Sequence, residues 1–367
     1  MALSKVDLEN QVENILPETL GGTGASQFPA QFRNIIINGD MSIAQRATSA
    51  TGITDGGSGF KTMDRWRTTI ISSGTWTQSQ DTDVPSGQGF SKSLKMDCTT
   101  ANASLSASSS LNIAGRFEGQ NLQYLKKGTS SAESLTMSFW VKSNKTGTYI
   151  VEIRDKDNSR DFSKSYTISS ADTWEKKTLT YAGDTTGAFD NDDARSLDVL
   201  FYLAAGTDYT SGTLQSSWYS TTASNRAVGQ VNLADSTSNY INITGVQLEA
   251  GTTASDFEFL PIDVNLQRCQ RYFDKQGGGG VTYDSTKGGY FVKHSVAMRA
   301  TPTKTMPDLT NAAGIFGVGD YTPTSFATNP STENNKMTHC VLSGLPSSTV
   351  GIFSSLKKDT LFLDAEL

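Results

Sequence analysis

Residues 135–143 read LTMSFWVKS. Leu135, Met137, Phe139 and Val141 alternate with Thr136, Ser138, Trp140 and Lys142. A period of two puts the first set on one face of a strand and the second set on the other. One apolar face and one polar face describe a strand of an antiparallel sheet with a single buried side. The pattern recurs on either side of this stretch. YIVEIRD (149–155) brings Val151 and Ile153 together, and SLDVLFYLAAG (196–206) aligns Leu197, Val199, Phe201 and Leu203. NYINITGVQLEAG (239–251) sets Ile241 and Ile243 against Asn242 and Thr244. Clusters of Gly, Asn, Asp and Ser separate the runs, as turns between strands require. The chain therefore reads as all-β, with an antiparallel β-sandwich over residues 34–261.

Composition agrees. Of 367 residues, 19% are charged and 36% hydrophobic, and 33 glycines make up much of the difference. Short strands joined by polar turns suit this better than helices do. The net charge is -6, with no basic stripe, so no nucleic-acid partner is expected. Cys98, Cys269 and Cys340 are too scattered for a disulfide framework or a CxxC pair. MALSKVDLEN carries no apolar core of a signal peptide, and no run is long enough to insert in a membrane. Synthesis in a reducing cytoplasm is the expectation.

Residues 1–33 read as a leader. Ser4 caps a short helix whose face carries Leu8, Val12, Ile15 and Leu16, and Pro17 ends it. So short a helix needs a partner. LGGTGAS then links it to the sandwich. Residues 262–275 break the period of two. Leu266, Cys269 and Phe273 recur at helical spacing, with Arg268 and Arg271 on the other side. A linking helix of about three turns is expected there, ended by KQGGGG acting as a hinge. Residues 276–367 then read as a smaller C-terminal β-sandwich.

Candidate chemistry is sparse. Cys269 lies between two arginines, which can activate a thiol. Its helical spacing places it with Leu266 and Phe273, so it reads as a packed side chain. His294 and His339 have no GxSxG, HExxH or phosphate-loop motif around them, and no catalytic residue is assigned. Asp190, Asp192 and Asp193 in DNDDAR offer oxygen ligands for a structural calcium ion, or simply form a polar loop. Sugar rings stack on aromatic faces. Trp218 and Tyr219 lie in QSSWYSTT, a hydroxyl-rich loop, and Tyr283, Tyr290 and Tyr321 lie among glycine-rich turns of the C-terminal part. These five are the candidate carbohydrate-binding residues, although tyrosines packed in a subunit interface would look the same.

NIIINGDMSIAQR, GFKTMDRWR, INITGVQLEAGTTASDFEFLP, QRCQRYF, VAMRATPT and a final DAEL occur in that order. The series resembles bacteriophage tail fibre proteins, and LPETLGGTGAS is similar to linkers near their starts. SSADTWEKKTLTY resembles a stretch of carbohydrate-binding jelly rolls. The resemblance implies a virion protein, a homotrimer joined to the tail or an adaptor through its N-terminus. It further implies adsorption to host surface polysaccharide. Two other roles remain open: a tailspike depolymerase, and an adaptor or decoration fibre without receptor binding.

Overall fold

The alternation at 135–143 becomes the strand Leu135–Ser143, and Leu135, Met137, Phe139 and Val141 are all buried. In the computed structural model, which describes residues 32–316, 319–328, 334–345 and 351–367, nearly every regular element is an antiparallel strand. The first sheet runs, in spatial order, Ser49–Ile53, Thr75–Asp81, Ser93–Thr100, Tyr240–Ala250, Leu135–Ser143, Glu175–Tyr181. The second runs Tyr219–Ser220, Arg160–Ile168, Gly147–Asp155, Arg195–Ala205, Ser110–Glu118, Arg67–Ile71, Gly59–Phe60. These two sheets form the sandwich. Side chains of both fill one core, in which Phe139 meets Phe201 edge to face at 5.1 Å. Each large apolar side chain buried there contributes about 1.5–3 kcal/mol.

The polar faces are not simply solvated. On the first sheet Asn242 donates to Ser93 Oγ at 3.0 Å, and Thr136 donates to the carbonyl of Gly251 at 2.8 Å. On the second, the segment from 206 to 230 folds over the strands and brings Tyr209, Leu214 and Ala227 onto Ile150, Leu200 and Tyr202. Arg226 grips Glu152 at 2.7 Å beneath that cover, and Tyr202 donates to the same carboxylate at 3.0 Å.

The linking helix is Ile262–Gln270, shorter than its spacing suggests. It ends before Phe273 because Phe273–Thr282 is already a strand. The run GGGG is therefore not a hinge, and the boundary expected at 275 falls inside a strand. A Cβ on Gly280 would meet the Gly289 carbonyl oxygen at 2.0 Å, and one on Gly278 would meet the Phe291 carbonyl oxygen at 2.7 Å. Glycine is here because neighbouring backbones approach too closely for a side chain.

This strand lies within a third sheet, ordered Gly319–Tyr321, Ala313–Ile315, Phe353–Asp364, Phe273–Thr282, Lys287–Lys293, Met337–Ser343, Ser325–Thr328. Thr303–Thr305 pairs with the far end of Phe353–Asp364. The sheet packs its own small core of Tyr290, Val292, Ile315, Leu342, Leu356 and Leu363. The leader helix expected between Ser4 and Pro17 lies outside the described residues, as does the rest of the leader but for Phe32 and Arg33.

A charged joint holds the third sheet to the sandwich. Glu366 pairs with buried Arg65, whose guanidinium lies 3.5 Å above the Tyr272 ring. Tyr272 donates to Glu118 at 2.5 Å, and Arg271 grips the same carboxylate with two bonds of 2.8 and 2.7 Å. Arg46 stacks 3.7 Å over Phe273 and reaches Asp364 at 3.1 Å. Arg299 donates to the carbonyls of Ala365 and Asp193. Cys269 and Leu367 fill the apolar floor with Ile37, Ile43 and Tyr272. Burial pushes the Cys269 thiol well up from its ordinary range, so the cysteine packs, as its spacing indicates. All three cysteines are buried.

Candidate functional site: an aromatic cleft on the first sheet

The second sheet is covered by its own chain, so the outer face of the first sheet is the open one. Trp140 stands at its centre. Its register neighbours are Thr244 on one side and Lys176 on the other. The pairing slips between Thr244 and Gln247, a bulge at Gly245, which sits at φ +61. The bulge leaves room for the Phe90 ring, since a Cβ on Gly245 would meet that ring at 2.5 Å. Phe257 and Phe259 follow from the segment after the strand. The three phenylalanines close into a triangle with centroid separations of 5.1, 5.1 and 4.9 Å. Phe259 keeps 50% of its surface open.

Together these residues line a cleft of about 360 Å³, with Trp140 and the phenylalanines as apolar surfaces. Gln88, Asp256 and Lys176 line it as well. Among the described residues their side chains make no hydrogen bond or ion pair, and they bring an amide, a carboxylate and an ammonium to the cleft. Ring faces beside free polar groups can bind a sugar through its CH face and its hydroxyls. A second tryptophan, Trp174, sits on this side of the sheet, where it donates to Asp83 at 2.9 Å. Burial would raise the Asp83 carboxyl, but the bonds from Lys142 and Trp174 outweigh it and hold it below its ordinary range.

The residues expected from sequence lie elsewhere and do not converge. Trp218 is half-buried at one end of the sandwich, with its indole donating to Ala182 at 2.8 Å and its ring 5.9 Å from Phe162. It serves as wall rather than platform. Tyr219 beside it is exposed. Tyr290 is fully buried in the core of the third sheet. It is therefore corrected from candidate ligand contact to packing residue, because its strand turns that face inward. Tyr321 packs against the same core and Tyr283 is exposed. Asp190, Asp192 and Asp193 are exposed, and no group of three or more acidic, histidine or cysteine side chains placed for a metal occurs among the described residues. Asp192 instead caps the Ala194 amide at 3.0 Å. His294 is buried against Thr338, while His339 stacks on Phe291 at 4.6 Å.

Two parts of the cleft were partly legible. Trp140 breaks its strand's polar face, and Phe257 and Phe259 flank Glu258 in DFEFLP. Phe90, in a distant loop, carries no sequence signal. Among the described residues no helix is long and apolar enough to cross a membrane.

No family model matches the chain, and no curated protein matches it. Solved structures give slight likenesses. The enzymatically active domain of bacteriophage CBA120 tailspike protein 4 is 14% identical, with 59% of this chain and 21% of that chain covered and a TM-score of 0.31. The chain thus spans about a fifth of that protein. TmCBM61 in complex with beta-1,4-galactotriose is 11% identical, with 59% and 99% covered and a TM-score of 0.28. The family 11 carbohydrate-binding module from Clostridium thermocellum, in complex with a mixed-linked tetrasaccharide, is 12% identical, with 59% and 95% covered and a TM-score of 0.26. Likenesses of this size carry no argument about ligand or activity.

Proposed function

We propose that the chain is a sugar-binding subunit of a bacteriophage tail fibre. In this reading it forms a homotrimer, joins the tail through its leader, and adsorbs to host surface polysaccharide without cleaving it. The observation that carries the binding part is the cleft itself. Four aromatic rings and the exposed polar side chains of Gln88, Asp256 and Lys176 share an open sheet face. The fibre part is supported by the ordered series of tail-fibre-like motifs.

The test is binding of the purified chain to polysaccharide from a susceptible host, by calorimetry and by retardation in gels containing the polymer. Trp140→Ala is expected to weaken binding about fivefold or more, since stacking on one ring is worth on the order of 1 kcal/mol or more. Melting should stay close to wild type, because Trp140 lies outside the sandwich core. Unchanged binding by Trp140→Ala would remove the cleft from the reading. Release of new reducing ends from the polymer would replace adsorption with depolymerisation.

A further inference from the structure

The outer face of the third sheet is apolar where a solvated sheet would be polar. Val281 lies in register with Phe353 on one neighbouring strand and with Gly289 on the other. The Tyr283 ring lies near Gly289, where a Cβ would meet it at 3.5 Å. Phe291 lies two residues further along and stacks on His339 of the next strand. Phe316 joins from the opposite side, its amide bonded to the Phe353 carbonyl at 3.0 Å. The result is one stripe across five strands, about 19 Å long at the usual strand spacing. Phe316, Phe353 and Phe291 are 81%, 76% and 54% exposed, and Val281 and Tyr283 are exposed too.

At about 200 Å² for a whole aromatic side chain, the stripe exposes on the order of 500 Å² of apolar surface. That lies near the top of the range for the largest patch on a monomer, roughly 300–600 Å². We propose that this stripe is the surface through which copies of this chain pack on one another.

Three observations choose a second copy over other occupants. Two stripes face to face bring together about 1,000 Å², the size a specific interface has to reach. Two lysines at the rim are spent within the chain, as Lys287 reaches Asp284 at 3.7 Å and Lys357 reaches Asp320 at 2.6 Å, which leaves the exposed Lys293 beside Phe291. A partner of opposite charge would find little to read there, whereas an identical copy needs no net charge. The three phenylalanines, finally, carry no hydroxyl or amide to orient a sugar, and of the stripe's exposed side chains Tyr283 alone brings a hydroxyl. The surface is independent of the fibre reading, and only the copy number of three rests on that reading.

Sedimentation velocity of the full chain at micromolar concentration tests this. A species at a multiple of the chain mass is expected, reduced to monomer by Phe353→Asp or Phe291→Asp. Hydroxyl-radical footprinting of the unaltered chain supplies a readout that needs no variant. Oxidation of Phe316, Phe353 and Phe291 should fall severalfold as concentration rises. A dimer would keep the surface and sink the trimer. A monomer at all concentrations, assembly by both variants as by wild type, or oxidation independent of concentration would overturn the proposal.

Discussion

The joint and the cleft are built in opposite ways. In the joint, charges are answered: buried Glu366 by Arg65, buried Glu118 by Arg271 and Tyr272, and half-exposed Asp364 by Arg46. In the cleft, aromatic rings stand open, and the polar groups around them are exposed and make no side-chain bond among the described residues. Most of the tail-fibre-like motifs meet in the joint. Arg46 comes from NIIINGDMSIAQR, Arg65 from GFKTMDRWR, Cys269, Arg271 and Tyr272 from QRCQRYF, Arg299 from VAMRATPT, and Glu366 from DAEL. The lesson is that what is recognisable in this sequence specifies how two parts fit together. What faces outward is written mostly elsewhere.

Breaking the joint should cost most. Glu366→Ala leaves Arg65 buried without its carboxylate. Removing one member of a buried ion pair costs about 3–5 kcal/mol, which denaturant unfolding would register. Sugar binding by whatever remains folded should be unaffected. A loss under about 1 kcal/mol would show that the joint is less sealed than it looks.

Acidity sharpens the same contrast. Burial pushes the Asp64 carboxyl up from 3.8 to about 6, against the pull of Arg46. Asp161 rises to about 6 through burial and the charge of Glu152, with Arg154 and Arg226 opposing. Both bind more protons folded than unfolded between about pH 4 and 6, so stability falls as pH rises through that window. Each contributes up to about 3 kcal/mol by this route. Glu118 acts the other way. Burial would raise it, but its bonds from Arg271 and Tyr272 prevail, so its contribution is lost as pH falls from 4.5 through its lower folded value. Melting temperature should therefore be higher at pH 5 than at pH 7.5 and drop below about pH 4. Asp64→Asn should flatten the upper part of the curve, and a profile rising steadily from pH 5 to 7.5 would contradict the assignment.

Gly245→Ala tests the cleft from beneath. The residue would be held at positive φ with its methyl in the Phe90 ring. A cost of about 1–2 kcal/mol in stability is expected, along with weakened sugar binding as the ring shifts. Normal affinity would mean that Phe90 plays no part. The smallest effect belongs to Cys269→Ala, about 1 kcal/mol for a buried side chain trimmed in place. Adsorption should be unchanged, and the native thiol should resist alkylation.

The sandwich was legible because Leu135–Val141 and Leu197–Leu203 repeat every second residue, and a buried sheet face imposes that period. The helix over-ran in the reading because Phe273 keeps the helical spacing while already belonging to a strand. GGGG read as a hinge because local signals cannot distinguish a flexible glycine from one pressed against a neighbouring backbone. Tyr290 read as a surface ring for a related reason: which face of its strand turns inward depends on partners about 50 residues away, such as Cys340. The cleft needed Phe90, Trp140 and Phe259 to meet across more than 100 residues, and no spacing rule spans that.

The glycine strand has one more consequence. Phe273–Thr282 and Phe353–Asp364 lie side by side, with Phe273 opposite Asp364 at the joint and Val281 opposite Phe353 within the apolar stripe. The outer part is therefore tethered by two antiparallel chains rather than one. A single tether swivels, but a paired ribbon resists torque as well as tension. Whatever grips the far end would transmit its orientation, and not only its pull, back to the sandwich.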